Sequence, residues 1–350
     1  MYDGGKMDGA NRIHTDCPQR GIVCPPNPQF TYVNPSDVQP YFQLAEQYTF
    51  GDRMFQTNQG PSFPAHQFLI SGTSAPTATS DLFAAENLFG GDIAGCIALS
   101  GTRVALIDPQ GNESSAQYPC FEHPTLTDLL DSNGISWRYY APSAGSIWTG
   151  PDAIQHICQP QLQNGKLTCT GKPWSNVIIP ETQVLTDIGN NQLANVSWVI
   201  PRGDSSDHPA FGDRGPSWVG SIVNAIGNSP YWNNTVIFIS WDDWGGWYDH
   251  VAPTIINSYE YGFRVPLIVV SPYAKLGHIS HVTHNTASFL KFVEELYKLP
   301  SLGYADAQAD DLSDCFDFTQ APAPFQTIPT ALTADYFLND RTPPSDPDDD

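Results

Sequence analysis

The chain has 350 residues and a formal net charge of −22, with only 15% charged residues. No basic cluster interrupts that balance, which argues against nucleic acid and against anionic membrane surfaces as partners. Hydrophobic residues make up 40% and aromatics 12%, enough for a sizeable core in an α/β protein of this length, and no apolar run is long enough for stable membrane insertion.

Residues 1–40 are rich in Pro, Asn, Asp and Gly and read as loop. A short helix is expected over Tyr41–Phe50, then a strand near Phe50–Phe55. The run Gly60-Pro61-Ser62-Phe63-Pro64-Ala65-His66 predicts a tight turn and a helix with Pro64 in its first turn and Gly72 near its end. Residues 73–95 carry Ser, Thr, Gly and Asn and read as an exposed insertion. Thr102–Ile107 reads as a strand. Thr125–Asn133 reads as a helix capped by Thr125 or Thr127 and closed by Gly134. Ile135–Tyr140 is a strand, residues 143–190 a long excursion over the surface, and Val196–Ile200 a strand. Ser217–Ile226 is a helix, and Thr235–Ile239 and Pro266–Val270 are strands. Asn285–Tyr297 is an amphipathic helix with Phe289, Phe292, Val293 and Leu296 on one face. Strands alternating with helices predict a three-layer α/β/α sandwich around a mostly parallel sheet, as one domain over 1–340. The acidic tail 341–350 is too polar to fold.

Seven cysteines occur without a C-x-x-C pair, so a zinc ribbon or thioredoxin-like motif is not supported. Cys17/Cys24, Cys96/Cys120 and Cys158/Cys169 flank short loops or a hairpin. Three disulfides with Cys315 free is the arrangement expected of an exported protein, and reduced thiols are the alternative.

The densest chemistry follows the strand ending at Ser240: Trp241-Asp242-Asp243-Trp244-Gly245-Gly246-Trp247-Tyr248-Asp249-His250. Open α/β sheets place ligands at strand C-termini. Adjacent carboxylates repel, and a bound hard cation is the usual remedy; a solvated acidic turn is the alternative. Ser62, at a helix start, is either an N-cap or a nucleophile held where backbone N–H groups point outward. A third loop holds Asp204, Asp207 and His208. His66 lies one turn after Ser62. His278, His281 and His284 fit no regular metal spacing and read as surface loop. There is no G-x-S-x-G elbow, Walker loop or Rossmann fingerprint.

These residues resemble a bacterial phosphoesterase family that contains phosphatidylcholine-type phospholipases C and an acid phosphatase, on the alkaline-phosphatase-like superfold. The resemblance rests on Gly5-Lys6-Met7-Asp8-Gly9, the Gly60–His66 run, Asp207-His208-Pro209, the Trp241–Val251 block, and Gly262-Phe263-Arg264-Val265-Pro266 through Ser271-Pro272. It implies Ser62 as nucleophile and, with Asp242 and Asp243, as a ligand of a divalent metal ion of unspecified identity. It implies His208 near the phosphate, and leaves His66, Asp207, Asp249 and His250 as substrate-contacting or supporting residues. Relatives commonly carry Asp-Glu-His-Gly-Gly where this chain has Asp-Asp-Trp-Gly-Gly.

The family also places a first core strand ending in Glu-Asn ahead of the Gly-Lys-Met-Asp-Gly block. By that comparison the first strand is missing here, the chain reads as N-terminally truncated, and its parent as secreted or periplasmic. The function implied is metal-assisted hydrolysis of a phosphate ester, phospholipid or soluble monoester, through a Ser phospho-enzyme. The alternative is a catalytically inactive remnant with a binding or structural role. A sulfatase-like reading is disfavoured because His66 stands where a C/S-x-P-x-R motif needs Arg. The many Trp and Tyr residues suit a choline-binding cage or, more ordinarily, core.

Overall fold

The computed structural model describes residues 1–13, 26–208 and 213–343. The expected Cys17–Cys24 pair and most of the acidic tail lie outside these residues.

The first regular helix, α1 (Gln39–Gln47), starts with Pro40 in its first turn and stops before Tyr48. The strand expected after it is two short ones, β1 (Thr49–Gly51) and β2 (Met54–Phe55), broken by a turn. Next comes α2 (Ser62–Ser71), ended by Gly72 in the left-handed conformation. Gly60 precedes it because nothing larger fits: a Cβ there would lie 2.3 Å from both the Ala85 carbonyl and Tyr259 Oη. The chain continues through β3 (Phe83–Phe89), β4 (Arg103–Ile107), β5 (Ser115–Gln117), α3 (Leu126–Ser132) and β6 (Trp137–Tyr140). Thr125, one of the two expected caps, forms a capping box with Asp128 on α3. Then follow the hairpin β7 (Gln159–Gln163) and β8 (Lys166–Thr170), β9 (Val177–Ile178), α4 (Gln183–Gly189), β10 (Val196–Val199) and α5 (Arg214–Gly227). Last are β11 (Ile237–Ser240), β12 (Leu267–Val270), β13 (His278–Ser280), β14 (His284–Asn285), α6 (Ala287–Tyr297) and α7 (Ala334–Asn339).

The protein is α/β, but its sheets are mixed rather than mostly parallel. One sheet runs β11-β12-β1-β13, with β12 antiparallel to both β11 and β1. A second, β10-β6-β9, is parallel throughout. The reason for the antiparallel pair is the connection: residues 241–266 contain no helix, and a parallel return requires a crossover. The sheet β3-β4-β5 is antiparallel.

Two expectations of surface hold only in part: Thr77, Ala78, Thr79, Glu86 and Phe89 in one segment and all of β7 in the other are exposed, but each segment also contributes to the core. In residues 73–95, Thr73, Ser74, Ala75, Ala84 and Ala85 are buried and β3 pairs with β4. In residues 143–190, Ile147, Trp148, Ala153, Ile154 and Ile157 join Phe63, Leu130 and Trp137 in the largest apolar cluster. Disulfides Cys96–Cys120 and Cys158–Cys169 staple these segments, and Cys315 is free and buried. Leu296 of α6 is exposed; Phe289 and Phe292 stack with Phe238 and Phe316 instead.

Among the described residues β10 pairs only with β6, and β11 only with β12. Both lie on the same helix layer: Val199 and Ile237 pack on Trp218, Ile222 and Ile226 of α5. Their other faces are covered too, Trp198 donating to the Leu69 carbonyl of α2 and Phe238 stacking on α6. Even so, all of β10 and most of β11 stay half-buried, whereas all of β12 is buried. Among the described residues, each of the two strands has one edge without a strand partner.

Candidate active site

Helix α2 is buried almost all round, so its polar side chains require partners. Its first-turn Ser62 makes no side-chain cap; the hydroxyl donates to Asp243 Oδ2 at 3.4 Å. The amide of Phe63 is taken by Asn87 Oδ1 at 3.0 Å, so the helix start offers one fewer free N–H than the sequence suggested. One turn on, His66 lies on the same side as Ser62. Its Nε2 is 3.5 Å from Asp242 Oδ2, and its Nδ1 is 3.0 Å from Tyr139 Oη.

Asp242 and Asp243 follow β11 directly. Asp243 Oδ1 accepts the Gly245 amide at 2.7 Å, a turn that Gly245 permits with φ +65°. Burial, and next the charge of Asp242, raise the Asp243 carboxyl above the ordinary range; His208 and Ser62 oppose this. Asp242 Oδ2 is buried and accepts no hydrogen bond. Burial lowers the His66 imidazole, and the charge of Asp242 works against that. Two adjacent acids with an orphaned buried oxygen, a hydroxyl and an imidazole make a donor set that fits a divalent cation.

The loop after β10 carries Asp207 and His208. The His208 ring stands edge-on to Trp148, centroids 5.5 Å apart, and its amide donates to Ser206 Oγ. Asp207 accepts the Tyr41 hydroxyl at 2.7 Å and sits at φ +59°. Burial raises the Asp207 carboxyl to about 6. Gly215 at the start of α5 makes room for it, since a Cβ there would meet Asp207 Oδ1 at 2.1 Å.

The structure brings Ser62, His66, Asp242 and Asp243 together, with His208 close enough to act electrostatically on Asp243. It does not bring in Asp249 and His250. Asp249 forms a two-pronged pair with Arg264, both contacts 2.7 Å, and the His250 side chain is 75% exposed. Asp204 is held by Arg202 and Arg214. His284 is buried rather than on the surface, its two nitrogens facing Ser280 Oγ and Asp310 Oδ1. Sequence reasoning missed Tyr41, Tyr139 and Trp148; each lies far along the chain from the residue it supports.

Two other features lie apart from this group. Asp152, Cys158 and Cys169 bring three donor atoms within 4.8 Å of one another, but the sulfurs are joined as a disulfide. Cavities of about 210 and 170 Å³ are lined by Ser36, Asp213 and Thr330, and by Glu181, Arg202 and Arg214, away from Ser62.

The profile of the Phosphoesterase family matches residues 4–300. The chain is 31% identical over 271 residues to phospholipase C B of Mycobacterium tuberculosis, a match covering 63% of this chain and 50% of that protein. It is 25% identical over 337 residues to the hemolytic phospholipase C of Pseudomonas aeruginosa (83% and 43%), and 25% identical over 321 residues to non-specific phospholipase C6 of Arabidopsis thaliana (82% and 53%). The chain thus spans about half the length of these curated relatives. A solved structure described as a protein in the alkaline phosphatase superfamily from Vibrio parahaemolyticus superposes with TM-score 0.43 at 10% identity, covering 77% of this chain and 64% of that one.

Proposed function

Because the chain belongs to the phosphoesterase family, we propose that it carries the hydrolytic centre of an enzyme that cleaves phosphate esters, with Ser62 as nucleophile. The observation that carries the reading is the hydrogen bond from buried Ser62 at the start of α2 to Asp243, one of two adjacent acids at the end of β11. A divalent ion would be held by Asp242, Asp243 and Ser62. When bound, it lowers the pKa of the serine hydroxyl and polarises the phosphoryl oxygens.

The residues then have these tasks. The contact with Asp243 fixes the Ser62 hydroxyl, whose proton passes to Asp243 Oδ2 as Oγ attacks phosphorus in line. The bond from phosphorus to the leaving oxygen breaks, and His208 protonates that oxygen. Water then attacks the phosphoserine and gives one proton back to His208, the bond from phosphorus to Ser62 Oγ breaks, Asp243 returns the proton to Ser62, and phosphate or a phosphorylated head group leaves. Asp207 and Tyr41 hold the His208 loop in its left-handed turn. The phospholipases C among the relatives favour a phosphodiester substrate. Two disulfides among the described residues favour an exported protein.

The open edges of β10 and β11 support a second element of the reading: the sheet is completed by a further strand.

The test is hydrolysis of a chromogenic phosphomonoester and phosphodiester with and without added divalent ions, followed by acid quenching and mass spectrometry. Phosphoserine at Ser62, lost in Ser62→Ala, is the expected result. Turnover that survives Ser62→Ala would remove the nucleophile assignment.

A further inference from the structure

We propose that His66 is a metal ligand through Nε2, and that the site therefore takes a first-row transition-metal dication in preference to Ca²⁺ or Mg²⁺. The proposal rests on the reading of Asp242 and Asp243 as metal ligands and extends it to a residue and a class of ion.

The hydrogen bonds around Tyr139 fix which nitrogen of His66 carries the proton. The Tyr139 hydroxyl has one hydrogen, and it goes to the Trp148 carbonyl at 2.7 Å, which can only accept. The 3.0 Å contact between Tyr139 Oη and His66 Nδ1 must then be donated by the ring. The Gly150 amide, 3.3 Å away, occupies the remaining side of the phenol oxygen. Tyr139 is fully buried, so no water competes for these positions. In the neutral ring Nε2 is left with its lone pair, facing Asp242 Oδ2 at 3.5 Å.

That oxygen is buried and accepts no hydrogen bond. Two acceptors thus face each other, which costs free energy unless something positive stands between them. A shared proton calls for a separation of about 2.7–2.9 Å. Two ligands of a tetrahedral ion with bonds near ~2.1 Å lie about 3.4 Å apart, close to what is seen. The arrangement in which a ligating imidazole gives its other N–H to a fixed acceptor is the usual support of metal-bound histidine. Helix α2 sets the geometry: Ser62 and His66, four residues apart, present an oxygen and a nitrogen towards Asp243 and Asp242. No set of one ligand atom each from His66, Asp242 and Asp243 falls within 4.8 Å of one another. Asp242 with His66 is therefore the primary pair, with Asp243 beside it on Ser62. An imidazole donor suits Zn²⁺ and its first-row neighbours and is foreign to Ca²⁺ and Mg²⁺.

The test needs no substrate. Zn²⁺, Mn²⁺ and Mg²⁺ affinities of the chain are measured by competition with a chromophoric chelator, for the parent sequence, His66→Gln and Tyr139→Phe, with far-UV circular dichroism confirming folding. Expected are Zn²⁺ bound more tightly than Mg²⁺, a loss of on the order of 100-fold in Zn²⁺ affinity for His66→Gln, and a loss of about 10-fold or more for Tyr139→Phe, with Mg²⁺ affinity changed far less. In the metal-free protein, long-range ¹H–¹⁵N spectra should show His66 protonated at Nδ1 alone, and Zn²⁺ should move its Nε2 resonance. Zn²⁺ binding that is absent, or unchanged in His66→Gln, overturns the proposal. So do equal losses for Zn²⁺ and Mg²⁺, or His66 protonated at Nε2. Failure of the nucleophile reading is separate, because it appears only as turnover that persists in Ser62→Ala.

Discussion

Glu294 of α6 and Asp306 form a buried carboxyl pair beneath the helix that carries Ser62 and His66. The Ala305 amide donates to the Gly72 carbonyl at the end of α2, so the pair helps anchor that end. Asp306 is rich in donors, accepting from Ser301 Oγ and from the amides of Gly303 and Tyr304. Glu294 has only the Leu302 amide on Oε1, and its Oε2 accepts nothing. Burial first, then the charge of Asp306, raise Glu294 from 4.5 to about 7. At about 1.4 kcal/mol per pH unit the full shift amounts to roughly 3 kcal/mol. Lys291 and Glu295 reach solvent beside it, and screening reduces the working value to roughly 1–2 kcal/mol. The folded pKa is raised, so the native state binds the proton more tightly. The stabilisation is fully present below about pH 4.5, falls as pH climbs towards 7, and is gone above it. Glu294→Gln keeps the shape and places a permanent N–H donor where the acid proton sits. Urea denaturation at intervals from pH 5 to 8.5 should therefore show the variant and parent close together at pH 5, with the variant more stable by roughly 1–2 kcal/mol at pH 8. Taking the difference cancels the titrating groups that Glu294 does not touch. Parallel stability curves, or a variant less stable at pH 8, would refute the reasoning.

Ser62→Ala should lower any phosphoesterase turnover by on the order of 10³-fold or more, with a melting temperature close to the parent's. Asp243→Asn should abolish turnover together with metal retention on gel filtration; retention of both would remove Asp243 from the ligand set. Cys158→Ser opens a loop spanning 11 residues of sequence separation and should cost about 3 kcal/mol in the oxidised protein and nothing under reducing conditions. An equal loss with and without reductant would mean that packing around Cys158, not the cross-link, is responsible.

The parts of the site carried by local pattern were legible in the sequence. A helix start gave Ser62 and a strand end gave Asp242 and Asp243, while His66 was placed one turn after Ser62 without its facing being decided. The supporting partners were not legible, because they come from remote segments: Tyr139 is 73 residues from His66, and Asp207 is 166 from Tyr41. Sheet direction failed for a related reason. Residues 241–266 look like any loop, and only the absence of a crossover helix makes β12 antiparallel. Thr73 and Ser74 were misread as exposed because Ser and Thr suggest solvent, whereas Ser74 Oγ satisfies itself inside the protein on the Ala84 carbonyl. His284 misled in the same way, since both of its nitrogens have buried or half-buried partners.

The open edges of β10 and β11 bear on activity as well as stability. Both strands lead into the site: the loop after β10 carries His208, and the turn after β11 carries the acid pair. A strand pairing with these edges, in the manner the family resemblance implies, would run next to both loops. It would also cover the half-exposed side of Val196–Val199 and Ile237–Ser240. Left open, such edges template pairing between copies. Copies of the 350-residue chain should therefore self-associate through these edges. A chain extended by an apolar strand ending in Glu-Asn should be monomeric, melt at higher temperature, and gain both metal and hydrolysis. Metal content, sedimentation velocity and phosphodiester cleavage on the two proteins decide the matter. If the shorter chain is already monomeric, metal-loaded and as active as the longer one, the sheet needs no further strand, and the half-exposure of β10 and β11 is a property of the finished fold.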